Sequence, residues 1–469
     1  MNDNGMKRQV RYALVLLMLC FAADTMTAQV TQKWRELHKV KRKETIFGIA
    51  RDYGITIDQL IAANPDMKKP GYELKKGDYV CIPWPDSVNV DQPTTTPLPV
   101  AQTNHSAPIA VPAEKDMRER EIRVGVMLPL HDENGDGKRM IEYYRGVLMA
   151  CDSLRHQGIS VDVRAWNVPE WGDISKVLKE KEAAKLDLIV GPLYSKQMPE
   201  LSEFVTKHDI RLLIPFSINA PELLTNRNIF QVYQSPTEHY EATITHFLSK
   251  FEGYHAVIID CNDSTSRKGI FTSGLRRRLE QMGRSFSLTS LKTSDAAFLK
   301  AFSKTAPNVV VLNSSRSPEL NVALAKLNTM TMTNTDVRIS LFGYTEWMMY
   351  TKYQLDNFYK YDTYIPSAFY LNPLSGQTTR IQQKYRWNFH ADMMQSLPRF
   401  AITGFDQAFF MLKGLHLYGK NFTGAPGMVG YNAIQTPLHF ERIGNGGLRN
   451  RSLLFVHYTP GHRIETIKF

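Results

Sequence analysis

Cysteine is scarce in this chain, which has four among 469 residues. Cys20 lies in an apolar run near the amino terminus, whereas Cys81, Cys151 and Cys261 are far apart, each in an apolar context. This spacing fits neither a metal site nor a disulfide framework. We therefore predict that the three later thiols are small buried hydrophobic side chains and that the protein holds no metal.

The sequence motifs of common catalytic sites are also missing. The chain has no G-x-S-x-G, no phosphate-binding loop and no H-E-x-x-H among its 13 histidines. The segment 132–137 imitates the start of a calcium-binding loop, but the twelfth position is Tyr143, where a bidentate glutamate is required. The glycine-rich segment 444–447 lies between PLHFERI and SLLFVHY and predicts a hairpin turn. We predict a non-catalytic protein without cofactors, although acidic residues suited to glycan hydrolysis cannot be paired from sequence.

Long hydrophobic runs are confined to the amino terminus. Lys7, Arg8 and Arg11 precede the apolar run 12–23, and the small residues Thr27-Ala28 precede Gln29. This pattern predicts a signal peptide over residues 1–28, a periplasmic location and no transmembrane segment in the mature chain. Lipidation at Cys20 is the less favoured alternative, because Leu19 stands where lipoprotein signals have Gly, Ala or Ser.

The net charge of +11 does not form a stripe of one sign. Lysines and arginines are scattered among acidic residues, except in the run 276–278. A solvated surface is therefore favoured over a nucleic-acid site, and we predict no nucleic-acid partner. Attraction to an anionic wall polymer or membrane would add weakly to binding.

Residues 33–84 have the pattern of a small βααβ domain. Val40 starts a strand, and Glu44 and Thr45 stand at the cap of a helix whose apolar residues recur at helical spacing up to Tyr53. A second helix begins near residue 56 and is stopped by Asn64-Pro65. The turn at 77–78 leads into a closing strand over 79–83.

From His38 to Pro83 this pattern resembles a LysM module, a domain that binds glycans containing N-acetylglucosamine. The resemblance implies that the protein binds peptidoglycan. It also implies a sugar groove between the loop that enters the first helix and the loop that leaves the second. The candidate glycan-binding residues are Lys43, Glu44, Thr45, Ile46, Ile61, Asn64, Pro65 and Asp66.

Residues 85–120 form a predicted flexible linker. The stretch is rich in Pro and Thr and shows no periodicity. Such a composition favours an extended chain, which would reach several tens of Å at about 3 Å per residue.

Residues 121–469 alternate strands with helices, twice over. Buried strands such as IRVGVMLPL, LDLIVGPLYS and IRLLIPFS are separated by helical segments, and the same order restarts at HAVIIDC. This alternation predicts an α/β domain with doubly wound parallel sheets in two lobes. We predict lobe one over about 121–234 and 372–435, and lobe two over about 235–371 together with the C-terminal strands.

The segments IRVGVMLPL, IVGPLYS, LLIPFS, NIFQVYQSP and FAITGFDQAFFML resemble the type 1 periplasmic binding protein fold. Their order after a wall-binding module looks most like the activators of penicillin-binding proteins and related ligand-binding receptors. The resemblance implies a ligand in the cleft between the lobes, where the strands end and helices begin. The candidate cleft residues are Ser195, Ser217, Tyr233, Tyr344 and Trp347.

Three functions compete at this point. The leading one is a wall-anchored binding protein whose two-lobed domain binds a small ligand or regulates a peptidoglycan synthase such as a penicillin-binding protein. A solute receptor for a transporter or sensor comes second, because a wall tether hinders free diffusion. A wall hydrolase is third, supported only by the LysM resemblance.

Overall fold

Three β-sheets organise the described part of the chain in a computed structural model. The structure describes residues 36–40, 44–53, 55, 57–68, 72, 74–83 and 116–469. The predicted signal peptide, Cys20, Lys43 and most of the predicted linker lie outside these ranges. The described residues fall into two units, one with the small sheet and one with the two larger sheets.

The first unit has the βααβ order that the sequence predicts. Its elements are β1 (Glu36–Lys39), α1 (Ile46–Tyr53), α2 (Ile57–Ala63) and β2 (Tyr79–Ile82). Strand β1 pairs antiparallel with β2, with Leu37 opposite Cys81. Leu60 and Val80 are fully buried and, with Val40 and Ile49, form a core between the helices and the sheet.

The second unit begins with a seven-stranded sheet, which we call lobe one. Its strands are β3 (Ile122–Leu128), β4 (Val161–Asn167), β5 (Leu188–Val190), β6 (Arg211–Ile214), β7 (Ile229–Gln231), β13 (Phe440–Arg442) and β14 (Leu448–Asn450). The order β13-β14-β7-β6-β5-β3-β4 is parallel except between β13 and β14. The helices that connect these strands are α3 (Gly135–Arg155), α4 (Ile174–Leu178) and α5 (Met198–His208).

The second seven-stranded sheet forms lobe two. Its strands are β8 (His255–Asp260), β9 (Phe286–Ser290), β10 (Asn308–Leu312), β11 (Ile339–Phe342), β12 (Thr363–Ser367), β15 (Leu454–Tyr458) and β16 (Ile464–Lys468), in the order β16-β15-β12-β11-β10-β8-β9. Its helices are α6 (Pro236–Lys250), α7 (Gly269–Gln281), α8 (Asp295–Leu299), α9 (Ser317–Thr333) and α10 (Thr351–Lys360). Two further helices, α11 (Gly376–Phe389) and α12 (Phe400–Tyr418), lie between β12 and β13 in sequence. The predicted two-lobed α/β fold is confirmed.

The four C-terminal strands are divided between the lobes, whereas the sequence placed them all in lobe two. Strands β15 and β16 extend lobe two, but β14 pairs with β7 of lobe one, with Leu448 opposite Phe230. The glycine-rich turn does form a hairpin, at Gly444 with φ +53°. Its second strand is Leu448–Asn450 and not SLLFVHY. Burial of Phe440 against Phe230 holds β13 on lobe one, with ring centroids 5.3 Å apart.

Helix α3 begins at Gly135, within the segment 132–137. Asn134 caps it, since its Oδ1 accepts a hydrogen bond of 2.9 Å from the Gly137 amide. The segment that imitates a calcium loop is therefore a helix cap and first turn. Among the described residues, no helix is long and apolar enough to cross a membrane.

Candidate functional site

Three crossovers join the two lobes, and hydrogen bonds tie the first to the third. The first crossover, residues 232–235, lies between β7 and α6. The second, residues 368–375, lies between β12 and α11, and the third, residues 451–453, lies between β14 and β15. The Gln234 amide donates to the Asn450 carbonyl at 3.0 Å. Glu238 completes a capping box with Ser235 at the start of α6 and accepts hydrogen bonds from Arg449 and Arg451. Hydrogen bonds therefore join the first and third crossovers, and the three crossovers together are the candidate hinge.

A cavity of about 460 Å³ lies beside this hinge. Lobe one contributes Ile218 and Leu397, lobe two contributes Phe271 and Tyr344, and the crossovers contribute Phe369 among others. The volume is within the range of small-molecule sites, which usually combine an apolar wall with a few polar groups. The cavity is therefore the candidate ligand site of the two-lobed domain.

The charged groups of the cavity are Lys268 and Glu346, which pair with each other. Their Nζ and Oε1 atoms are 2.8 Å apart, and the Lys268 side chain is 16% exposed. The Lys268 ammonium also lies over the Tyr344 ring, 4.7 Å from its centroid. Burial, with a smaller effect from Lys268, lowers the pKa of His239 to about 4, so this imidazole is uncharged near neutral pH.

Of the two aromatic cleft candidates in lobe two, Tyr344 lines the cavity and Trp347 does not. Tyr344 lines the cavity, but its hydroxyl donates to the Leu312 carbonyl at 2.5 Å. Trp347 is fully buried and stacks on Phe358, with ring centroids 5.9 Å apart. It is not among the residues that line the cavity, because the chain turns inward after Tyr344 and packs the indole into the core of lobe two.

Tyr233 lines the cavity from the first crossover. Its ring stacks on Phe216 of lobe one, with centroids 6.1 Å apart. The hydroxyl oxygen is buried and has no hydrogen-bond partner among the described residues. Burial raises the pKa of this phenol, which therefore stays protonated.

Ser195 and Ser217 meet each other at the ends of their strands in lobe one. Their hydroxyl oxygens are 3.2 Å apart, and Ser217 also bonds the backbone of Asn219. Neither serine lines the cavity, although the next residue, Ile218, does. The structure thus brings the serines together beside the cavity and not in it.

Sequence reasoning missed His239, Thr243, Lys268 and Glu346. Glu346 lies between Tyr344 and Trp347, so a search for charges beside those aromatic residues could have found it. Lys268 and His239 are far apart in sequence, and only the packing of α6 against α7 brings them to one cavity. No local pattern indicates that pairing.

In the first unit, Asn64 uses its side chain within the domain. It is 7% exposed, donates to the carbonyls of Leu60 and Cys81 at 2.8 and 2.9 Å, and accepts from the Cys81 amide at 2.8 Å. These three bonds hold the end of α2 against β2. Asn64 therefore fixes the conformation of the second loop through backbone hydrogen bonds inside the domain.

The other described glycan candidates differ in exposure. Pro65 and Asp66 are exposed, whereas Ile46 and Ile61 are half-buried. Thr45 caps α1 by accepting from the Gly48 amide at 3.0 Å. The Glu44 carboxylate lies 2.7 Å from Nε2 of His38. The other ring nitrogen of His38, Nδ1, lies 3.0 Å from the Tyr53 hydroxyl oxygen. Thr45, Pro65 and Asp66 are therefore the exposed members of the described candidates, and Lys43 lies outside the described residues.

The three described thiols are unsuited to nucleophilic catalysis. Cys81 and Cys261 are buried, and Cys151 is half-buried. Burial raises the pKa of each thiol to about 12, so the thiolate is rare near neutral pH.

Comparison with known proteins agrees with both resemblances. Residues 38–83 match the family model of the LysM domain. A search of curated proteins gave no match.

Among solved structures, a putative branched-chain amino acid ABC transporter from Rhodospirillum rubrum has a TM-score of 0.52 at 14% identity, covering 74% of this chain and 100% of that one. A branched-chain amino acid transporter from Rhodopseudomonas palustris has a TM-score of 0.44 at 12% identity, covering 74% and 96%. A substrate-binding protein from Streptococcus pneumoniae, in complex with isoleucine, has 0.38 at 14% identity, covering 75% and 100%. The match to the Rhodospirillum rubrum structure shows that the two-lobed domain has the type 1 periplasmic binding protein fold.

Proposed function

We propose that the protein is a non-catalytic binding protein that works outside the cytoplasm. Residues 33–84 hold it on peptidoglycan, and residues 121–469 close on a small ligand. In this proposal residues 1–28 are a signal peptide and residues 85–120 are a linker that leaves the two-lobed domain free to move. The LysM match supports the wall contact, and the two-lobed fold supports the ligand site.

The single observation that carries the ligand role is the cavity of about 460 Å³ at the hinge. It is lined by both lobes and by the crossovers, so a ligand there would contact both lobes and the segments that join them. A ligand that contacts both lobes stabilises the closed form by its difference in affinity for the two forms. The solved structure from Rhodospirillum rubrum is described as a branched-chain amino acid transporter. Amino acids and their derivatives are therefore the first compounds to test.

Regulation of a penicillin-binding protein is an alternative role for the same domain. It follows from the wall tether and from the order of GPLYS and IPFS after the LysM segment. In that case the two lobes dock a protein, and small ligands bind weakly or not at all. A purified synthase domain therefore belongs in the same binding experiments.

Purified mature protein incubated with peptidoglycan sacculi tests the wall contact and the absence of catalysis together. We expect the intact protein to sediment with sacculi and a variant lacking residues 33–84 to remain in solution, with no soluble fragments released. The experiment needs salt well above physiological strength, because a chain of net charge +11 is attracted to an anionic polymer. Fragment release would favour a hydrolase. Sedimentation no better than that of an unrelated basic protein would contradict glycan binding.

A further inference from the structure

Two hydroxyl groups of the cavity residues have no hydrogen-bond partner among the residues that the structure describes. The Tyr233 oxygen comes from the crossover beside lobe one, and the Thr243 Oγ1 comes from α6 of lobe two. Both oxygens are buried, and neither has a partner within the described part of the chain. A buried polar group without a partner costs free energy, so such groups are usually paired in a complete site.

Both hydroxyls are buried atoms of side chains that line the cavity. Tyr233 is part of the hinge, where a change in the angle between lobes moves its ring relative to α6. A ligand that accepts hydrogen bonds from both hydroxyls would therefore connect the first crossover with α6. The apolar residues Ile218, Met349 and Leu397 line the space around it and are partly exposed.

The charges that face the cavity already compensate each other. Lys268 and Glu346 form an ion pair at 2.8 Å, and burial keeps His239 uncharged near neutral pH. A ligand with a net charge would have to break that pair or lose its hydration without a partner, and both are unfavourable. A zwitterion could pair with both groups only by separating Lys268 from Glu346 and giving up the hydration of both its own charges.

We propose that the cavity selects an uncharged ligand with an apolar body and one hydrogen-bonding group toward each lobe, at Tyr233 and at Thr243. The inference rests on the proposed function, since it names the ligand class of the same cavity. It departs from the free amino acids that the descriptions of similar structures suggest. Blocked amino acids or small peptides with neutral ends have this chemistry.

Four leucine compounds test the charge requirement with one side chain. They are N-acetyl-leucine N-methylamide, which is uncharged, leucine N-methylamide, which is a cation, N-acetyl-leucine, which is an anion, and free leucine, a zwitterion. Titration calorimetry with the full mature chain measures each affinity. We expect the uncharged compound to bind at least tenfold more tightly than the other three.

The results separate this inference from the proposed function. Free leucine or a singly charged compound binding as tightly as the uncharged one would overturn the inference and leave the small-ligand role standing. Absence of binding by all four compounds at millimolar concentration would count against the small-ligand role itself.

Substitutions then locate the two hydrogen bonds. Tyr233→Phe and Thr243→Val should each weaken binding of the uncharged compound about tenfold without lowering the melting temperature of the free protein, because neither hydroxyl has a partner in the described part of the chain. Thr245→Val is the control, since Thr245 lies exposed on the same helix and bonds the Glu241 carbonyl at 2.9 Å. Unchanged affinity in both Tyr233→Phe and Thr243→Val would refute the assignment.

Glu346→Gln supplies an independent readout. It leaves the Lys268 charge unpaired, so the preference should shift toward the anionic N-acetyl-leucine. A purely structural role of Glu346 would lower stability and leave the order of the four affinities unchanged.

Discussion

At the scale of single residues, hydrogen bonds already made within the protein decide which candidates can bind a ligand. The Tyr344 hydroxyl and the Asn64 amide are both engaged with backbone groups. The Tyr233 hydroxyl is not, among the residues that the structure describes. A sequence shows that these side chains can form hydrogen bonds. It does not show which backbone groups reach them first.

Asn64→Ala should destabilise the first unit by about 1–3 kcal/mol, because it leaves the Cys81 amide and two carbonyls without partners. Hydrogen exchange of residues 36–83 in the full chain measures the change. The control Asp58→Ala, exposed on the same helix, should alter protection by less than about 0.5 kcal/mol. Glycan binding should fall only as the folded fraction falls. Lost binding with unchanged protection would instead place Asn64 in contact with the sugar.

His239 should make the protein less stable in acid. Its folded-state pKa is about 4 and its ordinary value is 6.5, so the unfolded chain binds a proton first as pH falls. The free energy of unfolding should therefore drop by up to about 3 kcal/mol between pH 6.5 and 4, relative to His239→Gln. Comparison with the variant is necessary because burial raises the pKa of Asp406 to about 6, which acts in the opposite direction. Parallel pH profiles for the two proteins would show that His239 is not held uncharged.

At the scale of elements, helices α3 and α12 approach each other through glycine. A Cβ at Gly146 would lie 1.9 Å from the Ala401 carbonyl oxygen, and one at Gly404 would lie 2.1 Å from that of Tyr143. No real Cβ makes contacts this close, so the helix backbones are in direct contact at this crossing. The Tyr143 hydroxyl also donates to Gln407 of α12 at 2.6 Å. The pattern of the α12 sequence predicts a buried helix, but not the helix that it meets.

Gly404→Ala should destabilise the two-lobed domain by at least about 2 kcal/mol, although alanine favours a helix, because the two helices must separate. Chemical denaturation measures the loss. Gly269→Ala is the matched control, since nothing lies within 4 Å of a Cβ there. It should be neutral or stabilising by up to about 1 kcal/mol. Equal effects of the two substitutions would contradict the direct contact.

At the scale of the two-lobed domain, the third crossover changes the hinge. From the sequence, Pro236 and Pro373 interrupt the pattern within 231–236 and 370–375 and predict two hinge segments there. The structure adds residues 451–453, because β14 belongs to lobe one and β15 to lobe two. Arg449 and Arg451 then meet Glu238 at the start of α6. Closure of the two lobes must therefore bend all three crossovers together.

Ligand binding should make the two-lobed domain more compact. Small-angle scattering of residues 116–469, with and without a compound that calorimetry shows to bind, measures the radius of gyration, which should decrease. The variant Glu238→Gln keeps the helix cap but weakens both arginine contacts. The ligand concentration at which the radius of gyration decreases should therefore differ from that of the unchanged protein. Unchanged scattering during demonstrated tight binding would indicate a rigid scaffold and favour protein docking.

The amino-acid sequence by itself determined the βααβ unit and the two α/β lobes, since helical periodicity, caps and buried strand runs are local and recur in order. It also led to Tyr233 and Tyr344, because each lies just after the end of a strand. Only the tertiary structure decided that β13 and β14 join lobe one, that Trp347 is a core residue, and that Lys268, Glu346, His239 and Thr243 share a cavity. Those outcomes depend on pairings between residues far apart in the chain, and their free energies come from packing and burial, which no local pattern encodes.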